Sequence, residues 1–169
     1  MAIDLYNEHY FGNDEMAILI SEIVEQLPLL KYDAVKRKKD KVSIFVMDNN
    51  GEKQNIRDNG IYFIYEKKQR VDERLLYVGK SDKTNTIYTR LYRWILPIFG
   101  IKKNYEQRHC AAEKARKDGI TNSKYLYVKY MTWSDIENIM PKIEKRYDRD
   151  TLDESVAAIL KPKYNVRGV

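Results

Sequence analysis

The sequence is poor in the residues that build disulfide frameworks and soft-metal clusters. Its 169 residues include one cysteine, Cys110, and two histidines, His9 and His109. A single thiol cannot close an intrachain disulfide, and it excludes a cysteine-based zinc cluster. Histidine-rich metal sites are equally unsupported. No apolar run approaches the roughly 18 residues that would suggest a membrane span, so no membrane partner is expected. The opening Met1-Ala2-Ile3-Asp4 lacks the basic-then-apolar pattern of a secretory leader, and the expected location is the cytoplasm. Repeats, linkers and low-complexity tracts are absent. One domain over 1–169 is therefore expected, near the norm of roughly 150 residues per domain.

Positive charge and tyrosine are plentiful. Lysine and arginine total 31 against 25 acidic residues, a net charge of +6 with a pI near 9.2, and there are 14 tyrosines. This balance weakly favours a polyanionic partner, since such side chains can contact both phosphates and bases. Two basic clusters stand out. Lys36-Arg37-Lys38-Lys39-Asp40-Lys41 reads either as a solvated loop or as a phosphate-contacting one. Lys102, Lys103, Arg108, Lys114, Arg116 and Lys117 form a second, read either as a solvated helix face or as a DNA-backbone contact.

Along the chain, apolar spacing from Asp14 to Leu27 predicts an amphipathic helix with acidic residues at its start, ending at Pro28. Val42–Met47 predicts a strand, Asp48-Asn49-Asn50-Gly51 a turn, and Lys53–Arg57 a weaker return strand. Gly60–Glu66 and Leu75–Lys80 are aromatic and β-branched runs around a polar loop, the signature of a hairpin. Thr86–Leu96 predicts a helix capped by Asn85 or Thr86 and closed by Pro97, with Arg90 beside its apolar face. Tyr105–Lys117 predicts a helix ending at Gly119, and Lys124–Met131 a third central strand. Ser134-Asp135-Ile136-Glu137 and Thr151-Leu152-Asp153-Glu154 each predict a capping box opening a helix. The first of these helices runs to about Tyr147, the second to Pro162.

Gly60-Ile61-Tyr62, Tyr77-Val78-Gly79, Arg90 on a helix, an acidic residue on a late helix, and Lys161-Pro162-Lys163-Tyr164-Asn165 together resemble the GIY-YIG nuclease family in its own order. The resemblance covers about 60–165. It implies an α+β fold with a small three-stranded antiparallel sheet flanked by helices. The remainder is then an N-terminal helix and strand extension (1–58), and a helical insertion at about 100–119 within the 59–166 core. It also implies hydrolysis of DNA phosphodiester bonds with one divalent ion, Mg²⁺ or Mn²⁺, per site.

Under that resemblance, Tyr62 is the general base or positions the water, and Tyr77 bonds phosphate or water. Arg90 grips phosphoryl oxygens in a fork that lysine cannot copy. Lys80 and Arg90 are the cations available to lower the Tyr62 pKa. Gly79 is expected to let the backbone pass close beneath DNA, with Lys102, Lys103, Arg108 and Asn165 as further DNA contacts. Glu154 is the expected metal ligand by residue type, while the spacing to Pro162 favours Asp153. Where family members often carry His or Tyr one turn after the arginine, this chain has Trp94, which leaves Tyr88, Tyr92 or no residue in that role. A chain of this length is most similar to the small type II restriction enzymes of the family, cutting double-stranded DNA as a homodimer on a near-palindromic site. Homing-type or structure-specific repair cleavage, or a non-catalytic DNA-binding module, are the other readings.

Overall fold

Five short segments build one antiparallel sheet, burial alternating along the outer pair Leu30–Lys36 and Val42–Met47 and continuous along the central Gly60–Tyr65. The computed structural model describes residues 12–54, 56–101, 110–139 and 147–165. Its strands are β1 (Leu30–Lys36), β2 (Val42–Met47), β3 (Gly60–Glu66), β4 (Arg74–Lys80) and β5 (Leu126–Thr132), in the order β2-β1-β5-β3-β4. The α+β class agrees with the sequence expectation, but the sheet has five strands, not three. The expected trio is present as β5-β3-β4, and β1 and β2 extend it. Strand β1 went unpredicted because its Leu-Lys-Tyr-Asp-Ala-Val-Lys run alternates weakly and merges into the basic cluster. The proposed return strand at 53–57 amounts to one bridge, Met47 to Lys53.

Five helices are described: α1 (Asn13–Val24), α2 (Ile87–Ile98), α3 (Cys110–Lys117), α4 (Trp133–Asn138) and α5 (Arg149–Leu160). They divide over the two faces of the sheet, as a sheet apolar on both sides requires. On one face Tyr32, Ile44, Tyr62, Ile64 and Leu76 pack with Leu91, Trp94 and Ile95 of α2 and with the alanines of α3. On the other, Ile61, Phe63, Tyr65 and Val78 pack with Met16 and Ile20 of α1, Ile136 of α4, and Leu152 and Val156 of α5. None of the described helices is long and apolar enough to cross a membrane.

The helix ends correct several sequence expectations. Thr86 caps α2 by accepting from the Thr89 amide, but Pro97 lies inside the helix, which ends at the next residue, Ile98. The actual stop is Gly100 at φ +73°, with amides of Gly100 and Ile101 bonded back to Pro97 and Leu96. The capping box of α4 is Thr132 with Asp135, not Ser134 with Glu137; Glu137 instead pairs with Arg149 at 3.0 Å. Helix α5 starts earlier than expected, capped by Asp148. Thr151 is therefore already helical, and its hydroxyl bonds Asp148 rather than forming a cap with Glu154. Gly119, at φ +101°, does end α3 as expected.

Both edges of the site region are tied down. Asn13 at the start of α1 bonds Thr151 and the Asp148 amide, joining two helix N-termini. Buried Lys129 on β5 donates to the Val24 carbonyl at 2.9 Å, meeting the negative end of α1. The tail beyond α5 then crosses to β4, where Lys163 and Tyr164 amides donate to Leu75 and Leu76 carbonyls. An otherwise open sheet edge is thus covered.

Candidate active site

The hairpin β3–β4 brings Tyr62 opposite Gly79 in antiparallel register. Directly opposed residues point to one side of a sheet, so the Tyr62 ring lies over Gly79. A Cβ at Gly79 would stand 2.4 Å from Tyr62 Cζ and 2.4 Å from its Oη. Glycine here makes room for the phenol, a role the sequence could not reveal. The register shifts between Ile64 and Tyr65. The extra residue on β4 turns Leu76 and Tyr77 both toward the α2 face. Tyr77 then lies 6.0 Å from Tyr62 and 6.5 Å from Trp94, ring centre to ring centre.

Helix α2 supplies the next layer. Arg90 and Trp94 are one turn apart and share a helix face. Among the described residues, Tyr62 Oη, Arg90 Nε and Trp94 Nε1 are all buried without a hydrogen-bond partner. Buried polar atoms are normally satisfied, so orphaned atoms within one group of packed rings mark a place that another molecule could complete. The Tyr62 pKa stands well above the ordinary phenol value. Burial is the main cause, Tyr77 adds to it, and the Arg90 charge and N–H groups oppose it. Arg90 therefore approaches the phenol closely, short of a well-formed bond to it. The expectation that neighbouring cations leave Tyr62 easier to ionise is corrected: Arg90 acts in that direction, but burial outweighs it.

Helix α5 borders the site with carboxylates. Leu152 and Val156 point into the core. At 3.6 residues per turn, Asp153 flanks that buried stripe and Glu154 lies round the far side. Asp153 is near enough to Tyr62 to raise its pKa further. The structure thus brings Tyr62, Tyr77, Arg90 and Asp153 together. Both Asp153 and Glu154 are half-buried, and Glu154 serves no capping role. Lys80 pairs in register with Ile61, on the opposite face from Tyr62. It bonds the Asp150 carbonyl at 2.5 Å, with the Asp150 carboxylate at 3.6 Å. Lys80 thereby holds the first turn of α5 against the end of β4.

Asn165 has both ends of its amide engaged on Val78, accepting from its N–H and donating to its carbonyl, each at 2.6 Å. It closes the β4 edge beneath the site. Lys102, Lys103 and Arg108 lie outside the described residues. Tyr88 is exposed, and Tyr92 packs at the margin of the α2 core. One further residue escaped sequence reasoning because its strand did. Buried Tyr32 of β1 donates its hydroxyl to the Leu91 carbonyl, next to Arg90 in α2. Its pKa is raised well above the usual value by burial, with Tyr62 and Tyr88 adding to it.

Among the described residues no group of three or more His, Cys, Asp or Glu side chains is gathered. The donors at hand are the α5 carboxylates, Asp153 and Glu154. Such a set suits a hard cation that keeps several waters and takes other oxygens from phosphate. Set against family models, curated proteins and solved structures, the chain finds no significant match.

Proposed function

We propose that this chain is a cytoplasmic, metal-dependent endonuclease that hydrolyses phosphodiester bonds in double-stranded DNA, with the sequence specificity of a type II restriction enzyme. The observation that carries the reading is the set of partnerless buried atoms, Tyr62 Oη and Arg90 Nε, beside Tyr77 and Asp153. A phosphodiester offers what this set is missing: anionic oxygens for the guanidinium and an attacking water for the phenol.

In this mechanism Arg90 binds the phosphoryl oxygens and stabilises the charge they gain as the water attacks. Tyr62, kept neutral by burial, hydrogen-bonds the attacking water and orients it. It could act as the base only after losing its own proton, which Arg90 favours and burial opposes. Tyr77, 6.0 Å from it ring to ring, bonds the phosphate from the other side of the ring pair. Trp94 closes the apolar wall and excludes bulk water. One divalent ion, Mg²⁺ or Mn²⁺, held by Asp153 or Glu154, would supply charge at the phosphoryl and leaving oxygens. Two-strand cleavage with one site per chain calls for a homodimer on DNA.

Incubation of the purified protein with plasmid DNA and Mg²⁺ tests the reading. Discrete fragments that disappear with EDTA are expected. Cuts confined to branched or distorted DNA would replace restriction with a structure-specific role, and no cleavage across varied sequences would leave a binding module. Tyr62→Phe is expected to lower the single-turnover rate by about 10²-fold or more; near-full activity in that variant would remove Tyr62 from the mechanism.

A further inference from the structure

Strands β1 and β2 pair along their whole length, from Lys31 with Met47 to Lys36 with Val42. Strand β1 meets β5 only at Leu30 and Lys31, and Ser123 touches it last at Ala34. From Val35 onward the hairpin has no neighbouring strand beyond its own partner; Val35 is 45% exposed, Val42 across from Lys36 still packs into the core on the inner side, and the turn beyond them projects from the sheet. The end of this two-stranded ribbon carries Lys36, Arg37, Lys38, Lys39 and Lys41, all exposed, against the single acid Asp40. None of these five cations forms an ion pair among the described residues. Arg37 is braced by Nε donating to Ser43 Oγ at 2.7 Å.

The turn itself is costly. Lys39 and Asp40 hold φ of +59° and +58°, a conformation that glycine or asparagine adopts far more readily in a hairpin. A strained charged turn, where an Asn-Gly pair would fold more easily, points to use of the side chains.

We propose that the β1–β2 ribbon is a duplex-DNA clamp whose tip cations bind backbone phosphates across the major groove. A ribbon of two strands about 4.8 Å apart, with side chains, fits a B-form major groove about 12 Å wide. The deep, narrow major groove of A-form RNA would not admit it. Lys31 stands level with Tyr65 through Tyr127, so the tip lies roughly 30 Å beyond Tyr62 along the strand direction at about 3.3 Å per residue. That is about one helical turn of DNA. The clamp thus grips DNA flanking the cut, and in this respect the inference rests on the nuclease reading.

The test is duplex-DNA binding by fluorescence anisotropy in EDTA, as a function of salt, for the wild type and for the triple variant Lys38→Ala, Lys39→Gly, Lys41→Ala. Each lost phosphate contact lowers the slope of log K against log salt by about 0.9, so a fall of about two to three is expected. Lys39→Gly alone should melt at or above the wild-type temperature while binding DNA more weakly, because glycine relieves the turn. Asp40→Asn should bind more tightly. A triple variant with the wild-type slope overturns the proposal. So does equal affinity, with equal slope loss, on an RNA duplex of the same sequence. Binding in EDTA is independent of cleavage. A protein that cuts no DNA but shows the slope change keeps the clamp and loses the nuclease reading, and the converse result separates them the other way.

Discussion

Gly79→Ala isolates the packing that holds Tyr62. The new Cβ would lie 2.4 Å from Cζ and from Oη, and 2.8 Å from Cε1, of a ring that is fully buried. The ring cannot retreat easily, since Tyr77 stands 6.0 Å away, itself backed by Trp94 at 6.5 Å. Overpacking of this kind costs about 1–3 kcal/mol. Gly79 does not sit at positive φ, so alanine should recover about 0.4–1 kcal/mol by restricting the unfolded chain. The net loss is then roughly 1–2 kcal/mol, or about 3–6 °C in a domain of this size. Urea denaturation of the single variant and of Gly79→Ala in a Tyr62→Leu background measures it as a double-mutant cycle. With the ring shortened, the cost should fall below about 0.5 kcal/mol. The reasoning fails if Gly79→Ala is neutral, or if it costs the same in both backgrounds.

Other contacts give independent readings. Asn165→Ala removes two hydrogen bonds from Val78 and should destabilise by about 1–2 kcal/mol in chemical denaturation; Asn165→Asp, which keeps only the acceptor, should not restore the loss. Tyr32→Phe should cost about 1 kcal/mol through loss of the bond to the Leu91 carbonyl, measured by urea denaturation. Asp118 has its carboxyl held below its usual 3.8, chiefly because the Tyr164 hydroxyl donates to it and then because Lys163 is close. A lowered carboxyl pKa means the folded state holds fewer protons, so its contribution is present above pH 3.8 and fades as the pH falls below it. Asp118→Asn should therefore be less stable than wild type at pH 7, with the difference shrinking as the pH falls through the lowered carboxyl value.

The central hairpin was legible because its signal is local: two aromatic runs around a polar loop. The cap at Thr86 and the stop at Gly119 were legible for the same reason, each depending on a few neighbouring residues. Contacts that depend on distant partners were not. Strand β1 is defined by pairing with β2 and by burial of Tyr32 and Ala34, neither visible in a run that ends in lysines. The start of α5 moved to Asp148 because Asn13, 135 residues away, bonds its amide. That shift removed the Thr151–Glu154 capping box that sequence spacing alone suggested. The Tyr62 pKa went the other way from expectation because cations can be counted in a sequence, whereas burial by Tyr77, Trp94 and α2 cannot.

The fold places Asp153 and Glu154 differently on α5, a distinction that residue type alone does not make. Chemistry alone prefers the longer glutamate arm. Geometry acts through α5, whose rotation is set by Leu152 and Val156 in the core and whose first turn is pinned by Lys80 on one side and Asn13 on the other. With those anchors, the residue following Leu152 flanks the sheet near Tyr62, while the next one turns away. A carboxylate against a buried phenol makes that phenol harder to ionise, which works against a tyrosine base in the free protein. The same carboxylate is useful if it meets a cation, because its charge then no longer bears on Tyr62. Asp153→Asn and Glu154→Gln separate the two. The variant that weakens Mn²⁺ binding in calorimetry identifies the ligand. If Asp153 is that ligand, Asp153→Asn should also abolish Mg²⁺-dependent cleavage, a loss Glu154→Gln should not produce.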